Sequence, residues 1–92
     1  MRKEAANKAR TVAVVVGNGL SPFEFAVACE VFGVDRSDDV GMPWYRFFVC
    51  SADPSPIETS AGFSMNVRYG LDALRRADTI VVPVSTRCKN PN

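Results

Sequence analysis

The 92-residue sequence contains no histidine. This absence excludes a serine–histidine or cysteine–histidine catalytic pair within the chain, because both pairs use an imidazole as the base. It also excludes a zinc site with histidine ligands. We assign no catalytic residue, no metal site and no cofactor to this sequence.

Long hydrophobic runs are also absent. The apolar stretch after Arg10 covers only Val12 to Val16 before the glycine-rich segment Gly17 to Gly19 interrupts it. Such a stretch is too short for the core of a signal peptide and far too short to span a bilayer. We therefore expect no membrane association.

The sequence contains few cysteines, and their spacing does not suggest a disulfide framework. The three cysteines, Cys29, Cys50 and Cys88, are odd in number and include no CxxC motif. This usage is more typical of a reducing cytoplasm than of a secreted disulfide scaffold, so we expect a cytoplasmic protein. We interpret Cys29 and Cys50 as buried packing residues and Cys88 as an exposed thiol.

No charge of one sign dominates the sequence. Eleven basic and ten acidic residues give a net charge of +1, so no overall field favours nucleic acid or a membrane surface. Residues 1–10 are locally basic, and we interpret them as a solvated N-terminal arm, because no aromatic residue or motif accompanies the charge. We predict no DNA binding by this chain alone.

A strand, a loop and a helix open the predicted domain. The β-branched run from Thr11 to Val16 is typical of a strand that is buried on both faces. Ser21 and Glu24 match a capping box around Pro22, which suits the first position of a helix. The predicted helix, Pro22 to Phe32, is apolar nearly all round and therefore needs cover on most sides.

The rest of the chain predicts further α/β elements. These are a polar loop at 35–43, a strand at 44–50, a small hairpin within 57–67, a short helix at 71–76 and a strand at 79–82. The order of elements predicts an α/β fold, the first half of a flavodoxin-like doubly wound parallel sheet with strand order 2-1-3. The third strand then has an open edge that can pair with another chain.

Several spaced motifs match a known family. Residues 19–33, GLSPFEFAVACEVFG, resemble the opening of ThiJ/PfpI-type domains, which are class I glutamine amidotransferase-like. The similarity is greatest to the domains that precede an AraC-type helix-turn-helix in bacterial transcriptional regulators. It continues through 43–46, 59–64, 71–74 and 77–83. We therefore predict a basic arm at 1–10, a partial PfpI-like domain at 11–83 and a polar tail at 84–92 that does not resemble the family.

The resemblance implies a sensing and oligomerising role without catalysis. Enzymes of the superfamily place a carboxylate at the start of the first helix, beside a nucleophilic cysteine on a later strand–helix elbow, and Glu24 matches that carboxylate. The sequence contains no segment that matches the elbow, so we expect no enzymatic activity. We also expect the tail to reflect a premature stop or frameshift, an expectation that the downstream DNA sequence tests.

Four residues are the predicted ligand-binding set: Glu24, Gly17, Asn18 and Gly19. Glu24 has an alternative role as the capping-box carboxylate, and the two roles do not exclude each other. The segment from Gly17 to Gly19 lacks the third glycine of a dinucleotide fingerprint, so we interpret it as a turn. It nevertheless follows a central strand, and open α/β sheets bind ligands at the carboxyl ends of their strands.

Three functions fit these patterns. The first is a truncated ligand-sensing and oligomerisation domain of an AraC-family regulator, which lacks the helix-turn-helix and whose full-length form binds a small molecule. The second is a fragment of a stand-alone PfpI-superfamily enzyme of the hydratase or amidase type. The third is a small interaction module that dimerises through the open sheet edge.

Overall fold

The computed structural model describes residues 9–85 of the chain. The strands are β1 (Thr11–Val16), β2 (Arg46–Ser51), β3 (Ile57–Glu58), β4 (Ser64–Met65), β5 (Tyr69–Gly70) and β6 (Thr79–Val81). The α-helices are α1 (Pro22–Ala28) and α2 (Ser37–Val40), and a 3-10 helix covers Leu71–Arg76. Most of the predicted basic arm and tail, including Cys88, lies outside the described residues.

The central sheet has four strands in the order β5-β2-β1-β6. Strand β1 pairs in parallel with β2 along its whole length, from Thr11 opposite Arg46 to Val16 opposite Ser51, and β6 pairs in parallel on its other side. Most of β1 is buried, as its β-branched run predicts. The α/β fold and the 2-1-3 order of the three predicted strands are confirmed.

Strand β5 adds a fourth strand that the sequence did not predict. Tyr69 and Gly70 pair in parallel with Cys50 and Ser51 at the end of β2. A strand of two residues is too short to show an alternating pattern, which is why it was missed. Beyond this pairing, the outer side of β2 has no further strand partner within residues 9–85.

The predicted hairpin is present as the antiparallel pair β3 and β4, with Ile57 opposite Met65. The Thr59 amide donates to the Phe63 carbonyl at 2.8 Å and closes the turn. The Ser60 amide donates to the Leu20 carbonyl at 2.8 Å, so the hairpin is tied to the loop that follows β1. Ile57 is fully buried and belongs to the same core cluster as Leu20.

Helix α1 begins where the sequence predicts, but its cap differs. Ser21 is the N-cap residue in an extended conformation and Pro22 is the first helical residue, yet no side chain makes a capping hydrogen bond. The predicted capping box of Ser21 and Glu24 was therefore wrong. The Ser21 carbonyl accepts the first hydrogen bond of the helix, from the Phe25 amide. The α-helix ends at Ala28 and continues as a π-helix over Cys29–Gly33, which corrects the predicted helix boundary.

The second strand begins at Arg46 rather than at Trp44. The Trp44 indole N–H donates to the Phe32 carbonyl at 2.9 Å, and the Tyr45 ring packs edge-on against Phe32 at 5.2 Å. Both side chains therefore close the end of the π-helix instead of forming a strand surface. The short helix α2 lies within the segment that was predicted to be a loop.

The core lies between the sheet and one face of α1. Its buried cluster contains Val14, Val16, Leu20, Ala28 and Ile57. Of the residues of α1 itself, only Ala28 is buried, whereas Phe23 and Val27 are exposed. The apolar helix is thus covered on one face only within the described residues. No helix of residues 9–85 is long and apolar enough to cross a bilayer.

Candidate functional site

A small cavity lies where the carboxyl ends of β1 and β2 meet the segment after β6. Its volume is about 160 Å³. Its polar lining comes from Gly17, Asn18, Asp53 and Ser85, and its apolar lining includes Leu20, Val82 and Pro83. Parallel strands end at the same edge of a sheet, so the loops after β1, β2 and β6 converge here.

Asn18 is held by three separate segments of the chain. Its backbone amide donates to Asp53 Oδ2 at 2.8 Å, and its carbonyl accepts from the Ser85 hydroxyl at 3.0 Å. Its side-chain Oδ1 accepts from the Glu58 amide at 2.9 Å. These contacts join the loop after β1 to the turn after β2, to the hairpin and to the segment after β6, and they hold the loop in position.

Asp53 is itself positioned by the turn that follows β2. The Ser51 hydroxyl donates to the Asp53 carbonyl at 2.5 Å and accepts from the Asp53 amide at 3.1 Å. Ser51 is buried, so this turn is anchored in the sheet. The carboxylate therefore reaches the cavity from the rigid end of a strand.

The predicted ligand-binding residues occupy different places. Gly17 and Asn18 line the cavity. Gly19 does not line it but shapes the loop, because it adopts a φ of 89° and its amide donates to the Glu58 carbonyl at 2.7 Å. Glu24 is exposed in the first turn of α1 and is not part of the lining. Ligand binding by these four residues stays a prediction.

Sequence reasoning missed Asp53 and Ser85 as part of this site. Asp53 follows the second predicted strand as Gly17 follows the first, so its position after a strand was an available signal. Ser85 had no such signal, because it falls in the segment that we predict not to resemble the family. It comes to the site through an antiparallel bridge with Leu20.

The two described cysteines are poor nucleophiles. Burial raises the pKa of the Cys29 thiol, and the nearby Glu30 carboxylate raises it further. Burial likewise raises the pKa of the Cys50 thiol, with a smaller contribution from Asp72. Because the thiolate is the reactive form, both residues are suited to packing rather than to catalysis. Cys50 is buried as predicted, whereas Cys29 is only partly buried, so the predicted burial of Cys29 was wrong. Within residues 9–85, no group of three or more metal-binding side chains comes together.

Two solved structures share this fold. A DJ-1 superfamily protein from Agrobacterium tumefaciens superposes with a TM-score of 0.63 and 17% identity, over 87% of this chain and 40% of that protein. An AraC family transcriptional regulator from Pseudomonas putida superposes with a TM-score of 0.67 and 21% identity, over 85% of this chain and 48% of that one. No protein-family model and no curated protein matches the sequence.

These similarities establish the fold. The chain has the fold found in DJ-1 superfamily and AraC-family proteins, which agrees with the predicted ThiJ/PfpI-like domain. The chain spans less than half the length of either structure.

Proposed function

We propose that this chain is part of the ligand-sensing and oligomerisation domain of a cytoplasmic AraC-family transcriptional regulator. The similarity to the Pseudomonas putida regulator supports this role. The observation that carries it is the cavity at the carboxyl edge of the sheet, where Asn18, Asp53 and Ser85 converge. Open α/β sheets bind ligands at this edge.

The chemistry of the cavity favours a small cationic or hydrogen-bond-donating ligand. The Asp53 carboxylate belongs to the described lining, and a carboxylate attracts an ammonium group through charge-assisted hydrogen bonds. The volume of about 160 Å³ lies below the range of about 300–1,000 Å³ that is usual for drug-sized ligands. We therefore propose a ligand of only a few heavy atoms.

Ethanolamine is a suitable probe, with acetate as the probe of opposite charge. We expect ethanolamine to shift the backbone NMR resonances of Gly17, Asn18 and Ser85, and acetate to leave them unchanged. Asp53→Asn should weaken ethanolamine binding by about tenfold or more, because a charged hydrogen bond contributes about 1.5–3 kcal/mol. Asp39→Asn, on the exposed helix α2, is the matched control and should bind as the wild type does.

Two results would count against ligand sensing at this cavity. One is that neither probe, nor a wider panel of small amines and alcohols, perturbs the loop after β1. The other is that Asp53→Asn and Asp39→Asn bind ethanolamine equally well.

The similarity to the DJ-1 superfamily protein favours a second candidate, a fragment of a PfpI-superfamily enzyme. The two described cysteines do not support catalysis, since the pKa of each thiol is raised. The genomic sequence beyond codon 92 discriminates between the candidates. A helix-turn-helix sequence there supports the regulator, and an elbow cysteine followed only by the last strands supports the enzyme.

We also propose that the chain self-associates through the edge of β6. Within the described residues β6 pairs only with β1, so its other side is an open edge. Two apolar side chains are exposed here, Ile80 within the strand at 50% and Val82 directly after it at 71%. Exposed apolar strands at a sheet edge favour pairing with another chain.

A charge at this edge should oppose self-association. In the double variant Ile80→Lys/Val82→Lys we expect the dissociation constant for self-association to rise about tenfold or more. The reason is that burial of each apolar side chain contributes about 1.5–3 kcal/mol. Sedimentation velocity measures this change. Val40→Lys, at a position that is 49% exposed on α2, is the control and should associate as the wild type does. If the wild type, the double variant and Val40→Lys all associate equally, the β6 interface is contradicted. If the double variant unfolds, the single variant Val82→Lys, which lies outside the strand, provides the same test.

A further inference from the structure

A second cavity, of about 390 Å³, lies beside the outer edge of β2. Phe25 reaches it from α1, Phe47 and Phe48 line it from β2, and Tyr69 closes it from β5. Strand β5 pairs only with Cys50 and Ser51, so it leaves the side of β2 from Phe47 to Val49 open toward this space. The cavity is separate from the one at Asn18, since no residue lines both.

Aromatic rings give this cavity its shape. Phe48 and Tyr69 pack edge to face, with ring centroids 5.7 Å apart. Aromatic side chains arranged in this way offer both faces and edges to a further ring, which adds to the free energy of burying its surface. An aromatic group is therefore a better match to the lining than a polar one. The volume lies within the usual range of about 300–1,000 Å³ for small-molecule sites.

Arg68 gives the cavity a positive charge. Its guanidinium carbon lies 6.0 Å from the centroid of the Tyr69 ring, a distance typical of a cation–π contact. No acidic residue lines the cavity. Arg68 makes no salt bridge with any residue of 9–85. Within the described residues, an exposed guanidinium without an ion-pair partner therefore lies beside an apolar, aromatic space.

We propose that this cavity binds a small aromatic carboxylate, with its ring among the phenylalanines and its carboxylate on Arg68. The planar guanidinium can donate two parallel hydrogen bonds to one carboxylate, a geometry that the ammonium group of a lysine cannot provide. Asn66, which also lines the cavity, supplies an amide that can donate to the same group. This site is independent of the ligand proposed for the cavity at Asn18.

The test compares two probes of nearly equal shape, 3-phenylpropionate and its uncharged analogue 3-phenylpropionamide, by NMR titration of the whole isotope-labelled chain. We expect the acid to shift the backbone resonances of residues 47–49 and 66–69. The amide should bind about tenfold to hundredfold more weakly, because it lacks the charged hydrogen bonds to Arg68. Propionate, which lacks the ring, should bind more weakly than either.

Arg68→Gln should remove the preference for the acid over the amide while it leaves the binding of the amide nearly unchanged. Arg75→Gln is the matched control, since Arg75 is exposed on the 3-10 helix and does not line the cavity. The proposal is overturned if the acid and the amide bind equally well to the wild type, or if Arg75→Gln has the same effect as Arg68→Gln.

Two further outcomes also decide against this site. Shifts at 17–19 and 85, without shifts at 47–49, would place the probe in the other cavity. Shifts at 47–49 that depend on protein concentration without any probe would show that a second copy of the chain occupies the space. Failure of ethanolamine to bind at Asn18 leaves the test of this cavity unaffected, because the two probes are read at different residues.

Discussion

Replacing Leu20 by alanine is expected to lower the free energy of unfolding by about 2–5 kcal/mol, which is the usual cost of truncating a buried leucine. Leu20 is only 1% exposed and belongs to the core cluster. It also lies at the centre of the connections between elements, because it bridges to Thr59 on one side and to Ser85 on the other. The truncation would leave these backbone bridges in place and would remove the packing of the Leu20 side chain within the core cluster, which includes Ile57 of the hairpin.

The effect is large because the core is small. Folded domains are typically stable by only about 5–15 kcal/mol, so the loss is a large fraction of the total. Denaturation in urea, followed by circular dichroism, measures it. The matched control is Leu71→Ala, at a leucine that is 46% exposed, where we expect a smaller loss of about 1 kcal/mol. Similar losses in the two variants would show that Leu20 does not hold the elements together as described.

The central sheet could be predicted because its signals are local. All but one residue of the run from Thr11 to Val16 are β-branched, and such a run is typical of a strand that is buried on both faces. The start of α1 at Pro22 was also predictable, because proline fits the first position of a helix. The absence of a side-chain capping hydrogen bond could not be predicted. The pattern of Ser21 and Glu24 marks where the helix begins, but it does not fix the rotamer of either side chain.

The candidate site could be predicted only in part, because half of it is assembled over long sequence distances. Gly17 and Asn18 were identified from their place after a central strand. Asp53 lies 35 residues from Asn18, and Ser85 lies 67 residues from it. Their approach depends on the register of β1 against β2 and on the path of the chain after β6, and neither can be read from a local pattern.

Replacing Gly17 by alanine is expected to lower the free energy of unfolding by about 1–3 kcal/mol, the usual cost of adding a methyl group where there is no room for it. A Cβ atom at this position would lie 2.7 Å from Asp53 Oδ2, well inside van der Waals contact. Asp53 cannot move away without loss, because the same Oδ2 accepts the hydrogen bond from the Asn18 amide. The variant should therefore also weaken ethanolamine binding. Gly70→Ala is the control, since its Cβ would lie 3.5 Å from Asp72 Oδ1, an ordinary contact.

A double-mutant cycle shows whether the cost arises from this contact. In the Asp53→Ala background the atom that meets the new Cβ is gone, and the next neighbour, the Ala52 Cβ, lies 4.0 Å away. Gly17→Ala should then cost less than about 1 kcal/mol, which gives a coupling energy of roughly 0.5–3 kcal/mol between the two positions. The other contacts of Asp53 do not affect the coupling energy, because they are lost equally in the single variant Asp53→Ala and in the double variant. If Gly17→Ala costs the same in both backgrounds, the destabilisation has a cause other than Asp53. The close approach of Gly17 and Asp53 would then no longer explain why a glycine lies at this position.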